Sequence, residues 1–335
     1  MNTEDRVEAF EKLGKYLSAI DKDEFKNLAI SAGNENSWFT EENIRSAFHG
    51  LAHYLRPGHL REWVSRYELT VVNPKTVAVI MAGNIPLVGF HDFLAVLISG
   101  HNILIKPSSK DSVLLSHLAK KLGEIEPRFA TRITFAEQLK NFDAVIATGS
   151  DNSARYFHYY FGKYPNIIRK NRTSCAVLNG RETREELQAL GRDVFSYFGL
   201  GCRNVSKIFV PLHYDLPQLL KSWEPFHDII HHHKYHNNYD YQKSILLVNR
   251  TSFLDSGFVM LQESEKLVSP IAVVYYETYE DEGALALKLT EAREKIQCIV
   301  GHTTPGAVPF GEAQVPALWD YADQVDTLKF LSSLN

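Results

Sequence analysis

Three cysteines punctuate the chain, Cys175, Cys202 and Cys298, and their surroundings differ. Cys202 lies in Phe198-Gly-Leu-Gly-Cys-Arg-Asn204, after a helix-like stretch and just before an apolar run, in a turn with two glycines. A turn between layers can expose a thiol to a cleft, where backbone N–H groups and dipoles lower its pKa and supply thiolate, the nucleophilic form. Cys175, inside Ser-Cys-Ala-Val-Leu, and Cys298, opening Cys-Ile-Val, read as small core residues, the commoner fate of a free cysteine. From these residues alone Cys202 is a candidate nucleophile, with a structural cysteine as the alternative.

Further segments offer polar groups where strands end. Met81-Ala-Gly-Asn-Ile-Pro-Leu87 closes an apolar run and leads into a helix. Strand carboxyl ends are where α/β sheets bind ligands. Gly83 lets the chain turn closely, and the Asn84 amide could donate to a developing oxyanion; it could equally serve only the backbone of its own turn. Asn102-Ile-Leu-Ile-Lys-Pro-Ser-Ser109 is a strand ending in Lys106, with Pro107 preventing a helix. Val145-Ile-Ala-Thr-Gly-Ser150 precedes a helix whose N-cap is read as Asp151, so Gly149, Ser150 and the helix start offer donors to a phosphate. No G-x-G-x-x-G or Walker pattern occurs, which excludes the ordinary dinucleotide fingerprint.

The elements that must position these groups alternate. Residues 1–70 read as helices, with one stripe at Val7, Phe10, Leu13, Leu17 and Ile20 and a second helix from the Thr40 cap to Leu55. Thr76–Ala82, Asn102–Lys106 and Asp143–Thr148 are continuous apolar runs, as in strands buried on both faces. Helices at 87–99, 112–122 and 151–161 separate or follow them, which makes a doubly wound parallel sheet. A second series has strands at 175–178, 207–210, 245–248, 271–276 and 297–300, with helices at 183–198 and 284–296. The tail segment Thr303–Tyr321 is rich in Pro, Gly and aromatics and reads as extended chain.

With 335 residues and 44% apolar side chains, two domains with their own cores are expected. The formal charge of −4, from 36 basic and 40 acidic residues, leaves no basic surplus for nucleic acid. Sparse, odd cysteine usage fits a reducing compartment. The charged N-terminus is no signal peptide, and the longest apolar stretch is broken by Asn84, Pro86, His91 and Asp92. A cytoplasmic protein without a membrane span is the expectation.

In order, Gly83-Asn84-Ile85-Pro86-Leu87, Lys106-Pro107-Ser108, Thr148-Gly149-Ser150 and Gly201-Cys202 resemble the motifs of the aldehyde dehydrogenase superfamily. The branch they are most similar to is the acyl-CoA reductases, which include the fatty-acid reductase of bacterial luminescence. The similarity covers about residues 70–335, including Val308-Pro-Phe-Gly311 and Trp319-Asp-Tyr321. It implies an α/β fold with a nucleotide domain to about residue 168, a catalytic domain over 169–303 and a segment, 304–335, packing back on the body. Cys202 would accept the acyl group, and Asn84 with the Cys202 N–H would form the oxyanion hole. Lys106, with Ser108 and Ser109 after it, would hold the adenosine ribose, and Gly149 and Ser150 would border the pyrophosphate and nicotinamide. A homo-oligomer follows only by analogy.

The departures carry information. Hydrolytic members have Glu-Leu-Gly-Gly-Lys where this chain has Ile168-Arg-Lys-Asn-Arg172, so no acidic residue is available to activate water. A thioacyl enzyme would then survive for exchange with a thiol, which favours acyl-CoA as substrate. NAD-selective members carry a glutamate three residues after the lysine; here Ser109 stands there and Lys110 follows, so NADPH is the expected cofactor and NADH remains permitted. Lys266, in Glu265-Lys-Leu-Val-Ser-Pro270, replaces a glutamate that usually holds the nicotinamide ribose; Glu265 is the available substitute.

His227/His231 and His232/His236 are spaced to chelate a metal on a helix, but the pairs fall on different faces. They read as a polar helix and loop, and no metal is assigned. The expected reaction is reduction of a fatty acyl-CoA to the aldehyde by NADPH through a cysteine thioacyl intermediate. The alternatives are a hydrolytic aldehyde dehydrogenase or acyl-phosphate reductase of the same fold, or a non-catalytic metal-binding protein.

Overall fold

The computed structural model describes every residue except Val72 and Asn335. The chain divides into two units, residues 1–171 with 317–335, and residues 172–316. The expected boundaries lie after residues 168 and 303; residues 304–316 fall in the second unit and 317–335 in the first.

In the first unit four helices precede the sheet: α1 (Thr3–Ser18), α2 (Lys22–Glu35), α3 (Glu41–Tyr54) and α4 (Pro57–Val64). Asn2, Asp21 and Thr40 cap the first three by accepting N–H groups of the opening turn. Then come β1 (Thr76–Ile80), α5 (Phe90–Ser99), β2 (Asn102–Lys106), α6 (Val113–Ile125), β3 (Ile133–Phe135), β4 (Ala144–Thr148), α7 (Asp151–Phe161) and β5 (Asn166–Arg169). All five strands are parallel, in the order β3-β2-β1-β4-β5. From β1 the chain runs outward to β2 and β3, then returns to β4 on the other flank. The carboxyl ends of β1 and β4 thus border the point where the winding reverses.

Val77, Val79, Ile103, Ile105 and Ile146 are fully buried or nearly so, which accounts for the unbroken apolar runs. Helix α5, whose apolar residues are joined by Asp92, is buried along most of its length, and Phe10 packs edge-on against Phe93 and Phe129. Leu318, Tyr321, Leu328 and Leu331 complete this core. Trp63 donates its indole N–H to the Tyr321 hydroxyl at 2.7 Å, and Arg169, ion-paired with buried Asp92, donates to Thr327 at 2.9 Å.

The second unit contains β6 (Thr173–Val177), α8 (Arg184–Phe195), β7 (Val205–Pro211), α9 (Leu216–Ser222), α10 (His233–Val248), β8 (Leu254–Asp255), β9 (Met260–Glu263), β10 (Val273–Tyr279), α11 (Glu282–Glu291) and β11 (Ile296–Gly301). Its sheet, ordered β11-β6-β7-β10-β9-β8, is parallel apart from the β8–β9 pair. Lys207, fully buried in β7, is paired with Glu277 of β10 at 2.7 Å. The fold is the expected α/β arrangement with a doubly wound parallel sheet.

Several local expectations are corrected. Residues 245–248 are the last turns of α10, not a strand: Leu246 is buried while Leu247 and Val248 are 60% and 82% exposed. Beyond the Pro- and Gly-rich segment that ends at Tyr321, Thr327–Ser332 add a final helix, α12, capped by Asp326, which the sequence reading did not include. Ser150 rather than Asp151 caps α7. The helix expected from residue 87 begins at Phe90, because Leu87 takes a left-handed φ of 58°. No helix among the described residues is long and apolar enough to cross a membrane.

Candidate functional site

The first unit gathers six of the seven residues singled out by sequence at the carboxyl edge of its sheet. Asn84 follows β1; Lys106, Ser108 and Ser109 end or follow β2; Gly149 and Ser150 follow β4. Asn84, Lys106, Ser109 and Ser150 are exposed, whereas the backbone beneath them is tightly held. Gly83 packs on the turn after β2 so closely that a Cβ there would lie 2.4 Å from Ser108 Oγ. Only glycine allows that approach.

The turn at 108–111 is itself ordered: the Asp111 N–H donates to Ser108 C=O at 3.1 Å and the Lys110 N–H to Ser108 Oγ at 3.2 Å. At β4 a Cβ on Gly149 would meet Ser153 Cβ and the Phe157 ring at 2.8 Å, so glycine lets α7 start directly against the strand end. Ser150 Oγ accepts the Ser153 N–H at 3.2 Å. The helix start at Asp151, glycine at the strand end and two exposed lysines, Lys106 and Lys110, are groups that could hold a dinucleotide's phosphates.

Cys202 belongs to the second unit, just before β7, and is exposed. The other cysteines confirm the contrast. Cys175 is fully inside the sheet, and burial pushes its thiol up to about 12. Cys298, half-buried in β11, lies 3.1 Å from Ser174 Oγ. The chain reaches Cys202 through an unusual turn: Tyr197, Phe198 and Gly199 have φ of 51°, 59° and 76°, three left-handed residues in succession. Such a conformation costs a non-glycine residue about 1–2 kcal/mol and persists only where surroundings enforce it.

The enforcing group is Asn204, buried to 2% exposure. Its amide donates to the carbonyls of Ser196 (2.8 Å), Asp193 (3.0 Å) and Val194 (3.3 Å). Its own oxygen accepts the Gly201 N–H at 2.8 Å, and its N–H returns to Gly201 C=O at 3.1 Å. One side chain thereby ties the frayed end of α8 to both sides of the cysteine. Ser174 of β6 adds a bond to the Cys202 carbonyl at 3.0 Å. Beneath it, Asp193 accepts the N–H groups of Gly311 (2.6 Å) and Ala313 (3.0 Å), and Arg203 donates to Ala313 C=O at 3.3 Å, so the Val308–Gly311 segment buttresses the same turn. Burial raises Asp193 to about 6, against the pull of those two N–H bonds and of Arg192.

Ile168, at the position expected for a general base, lies in β5 opposite Ala147 and packs with Val145 and Ala147. Lys266 and Glu265 are exposed in the loop after β9. In the histidine region His227, Asp228 and His231 bring ligand atoms within 4.8 Å of one another, all exposed, while His232 stacks on Phe198 at 4.3 Å. The residues missed by sequence reasoning are those that hold the motifs: Asn204 appeared only as the end of a quoted segment, and Asn36, Asp111 and Asp193 carried no signal.

Known proteins show the same architecture. Aldehyde dehydrogenase 21 from Physcomitrella patens, solved with succinate, superposes with a TM-score of 0.70 at 14% identity, over 100% of this chain and 84% of that one. The NAD+ complex of an aldehyde dehydrogenase from Bacillus cereus gives 0.62 at 13% identity, over 90% and 72%. Aldehyde dehydrogenase C from Pseudomonas syringae, solved with NAD+ and octanal, gives 0.65 at 11% identity, over 91% and 73%. At these identities the likeness establishes the fold. No curated protein matches the chain. The model of the acyl-CoA reductase (LuxC) family matches residues 40–213, just over half of the sequence and inclusive of Asn84, Lys106, Gly149 and Cys202. The chain therefore belongs to the acyl-CoA reductase (LuxC) family of oxidoreductases.

Proposed function

We propose that the protein reduces an acyl-CoA, with a fatty acyl chain, to the corresponding aldehyde, using NADPH. The observation that carries this reading is the exposure of Cys202 on a turn built to hold it, while the other two cysteines are committed to the sheet. The Cys202 thiolate attacks the thioester carbonyl. As the tetrahedral adduct forms, the Asn84 amide and the Cys202 N–H donate to its oxyanion; collapse breaks the bond to sulfur of CoA, which leaves as its thiolate. The residues named below would hold a reduced nicotinamide dinucleotide, which would supply the hydride that takes the thioacyl carbon to the thiohemiacetal. The Cys202 thiohemiacetal then releases aldehyde and regains the thiolate.

Lys106, Ser108, Ser109, Gly149 and Ser150 are the residues that would hold the cofactor. Exposed Ser109 in place of a carboxylate, beside Lys110, favours the 2′-phosphate of NADPH. Ile168, packed with apolar residues, leaves the thioacyl group without a base to activate water, which favours CoA-linked reduction over acid formation. Acyl-CoA-dependent oxidation of NADPH by the purified protein tests the proposal. Cys202→Ser should remove it, and persisting turnover would overturn it. Preference for acyl phosphates, or CoA-independent oxidation of aldehydes to acids, would transfer the reaction to the two enzymatic alternatives. Stoichiometric zinc with no thermal shift on adding NADPH would mark a binding protein.

A further inference from the structure

The loop that carries Asn84, residues 81–89, is fastened by groups from outside it. The Met81 N–H donates to Lys106 C=O at 3.2 Å. Asn36, buried at the end of α2, donates from Nδ2 to Gly83 C=O at 3.2 Å. On the far side of Asn84 the Leu87 N–H donates to Asp111 Oδ2 at 2.7 Å. Leu87 is the residue with φ of 58°, and α5 begins three residues later.

Asp111 is 6% exposed, and its second oxygen, Oδ1, is buried with no hydrogen-bond partner among the described residues. Burying a carboxyl to make a single bond is unfavourable for stability alone. A cost retained beside a reacting group points to a role in placing that group. Asp111 also lies against the glycine preceding Asn84, since a Cβ on Gly83 would come within 3.3 Å of Asp111 Cβ. It therefore touches the loop on both sides of the amide while remaining separate from it in sequence.

We propose that Asp111 is a positioning residue for the Asn84 donor: by fixing the Leu87 N–H it sets the path of residues 83–87 and hence the aim of the Asn84 amide at the oxyanion. This rests on the reading of Asn84 as that donor, and the test separates the two. Steady-state reduction of an acyl-CoA by NADPH is measured for the full chain, Asp111→Ala, Asp111→Asn, Asn84→Ala and the Asp111→Ala/Asn84→Ala double variant. Asp111→Ala lowers kcat about 10- to 100-fold, less than loss of a donor outright, with KM within about threefold. Asp111→Asn, which keeps an oxygen for the Leu87 N–H, restores kcat to within about threefold of wild type.

In the Asn84→Ala background the Asp111 substitution adds less than about twofold, because the group it places is gone. Wild-type kcat in Asp111→Ala, or the same fold-loss with and without Asn84, overturns the positioning role. Wild-type kcat in Asn84→Ala instead overturns the oxyanion reading itself. Should Asp111→Ala not fold, Asp111→Ser, which keeps an oxygen with shorter reach, is read by the same coupling to Asn84.

Discussion

The turn before Cys202 and the loop around Asn84 face the same problem, holding a polar group steady on exposed backbone, and solve it with different chemistry. The cysteine turn is tied from within by a neutral amide: Asn204 lies two residues from the thiol and bonds four backbone groups with its side chain. The asparagine loop is tied from other elements, by Asn36 from α2 and by the carboxyl of Asp111. An amide hub neither gains nor loses charge with pH. Burial, opposed by the Leu87 N–H and reinforced by Glu35 of α2, raises Asp111 to about 7. The proposed nucleophile is thus held by an amide hub that carries no charge, with the titratable Asp193 only beneath it, and the proposed oxyanion donor directly by a carboxyl that titrates near neutrality.

The largest expected effect tests whether the cysteine turn is the reacting centre at all. Cys202→Ser should lower kcat by at least ~10⁴-fold, on the scale seen when a nucleophile is removed from acyl-transfer enzymes. NADPH binding, measured by thermal shift, should stay near wild type, because the proposed cofactor residues belong to the other unit. A loss of cofactor affinity equal to the loss of turnover would break the separation between the two regions.

Asn204→Asp probes the amide hub. The variant replaces a donor with a carboxylate aimed at three carbonyl oxygens, in a place with 2% exposure. A buried, uncompensated charge and lost bonds should cost about 3–5 kcal/mol of stability to urea. With the left-handed residues 197–199 released, alkylation of Cys202 by iodoacetamide should slow or lose its selectivity over Cys298. Unchanged stability and unchanged alkylation would show that the turn holds itself.

A smaller effect tests the charged fastening. Asp111 and Asp193 sit above their ordinary value of 3.8, at about 7 and about 6. The folded state therefore binds their protons more tightly than the unfolded chain, and stability from each is full below pH ~4 and lost as pH rises through the folded value. The slope is at most ~1.4 kcal/mol per pH unit for each group, or a few degrees in Tm for domains of this size. Asp111→Asn should flatten the fall in Tm between pH 4 and about 7, and Asp193→Asn that between pH 4 and about 6. Around them Glu35 faces Asp111, and Arg192 and Glu312 face Asp193. Asn204→Ala should leave the slope unchanged while lowering Tm throughout. Parallel wild-type and Asp111→Asn curves would remove the electrostatic half of the contrast.

Legibility in sequence follows the same division. Strands β1, β2 and β4 could be read because parallel strands covered on both faces are continuous apolar runs. The run Ile245-Leu-Leu-Val248 has the same appearance, yet it ends a helix and exposes two of its four residues; four apolar residues do not distinguish the two periods. Strand β3 was missed because three residues, Ile133-Thr-Phe135, are too short to show a period, and β5 because it begins at Asn166 and ends at Arg169. The motif residues were legible by their types and order. Asn36, Asp111 and Asp193 were not, because an Asn or Asp in a helix-flanking segment reads as solvated, and burial depends on chain that arrives from elsewhere.

The smallest effect concerns product rather than rate, and it sharpens what an exposed thioacyl group on the cysteine turn can do. Ile168 of β5 packs with Val145 and Ala147, so the site expected to bear a base is apolar. Ile168→Glu introduces a carboxyl there. Its half-buried setting would raise the carboxyl's pKa, which suits a base working near neutrality. If the position corresponds to the base of hydrolytic relatives, acyl-CoA supplied without NADPH should release free acid several-fold faster, with the aldehyde yield falling in proportion. If acid release does not change while the protein stays folded, any persistence of the proposed thioacyl enzyme owes nothing to this position. Exclusion of water around the Cys202 turn would then be its cause, and substitutions at Phe198, packed on His232 and Tyr235, would be the ones to raise hydrolysis.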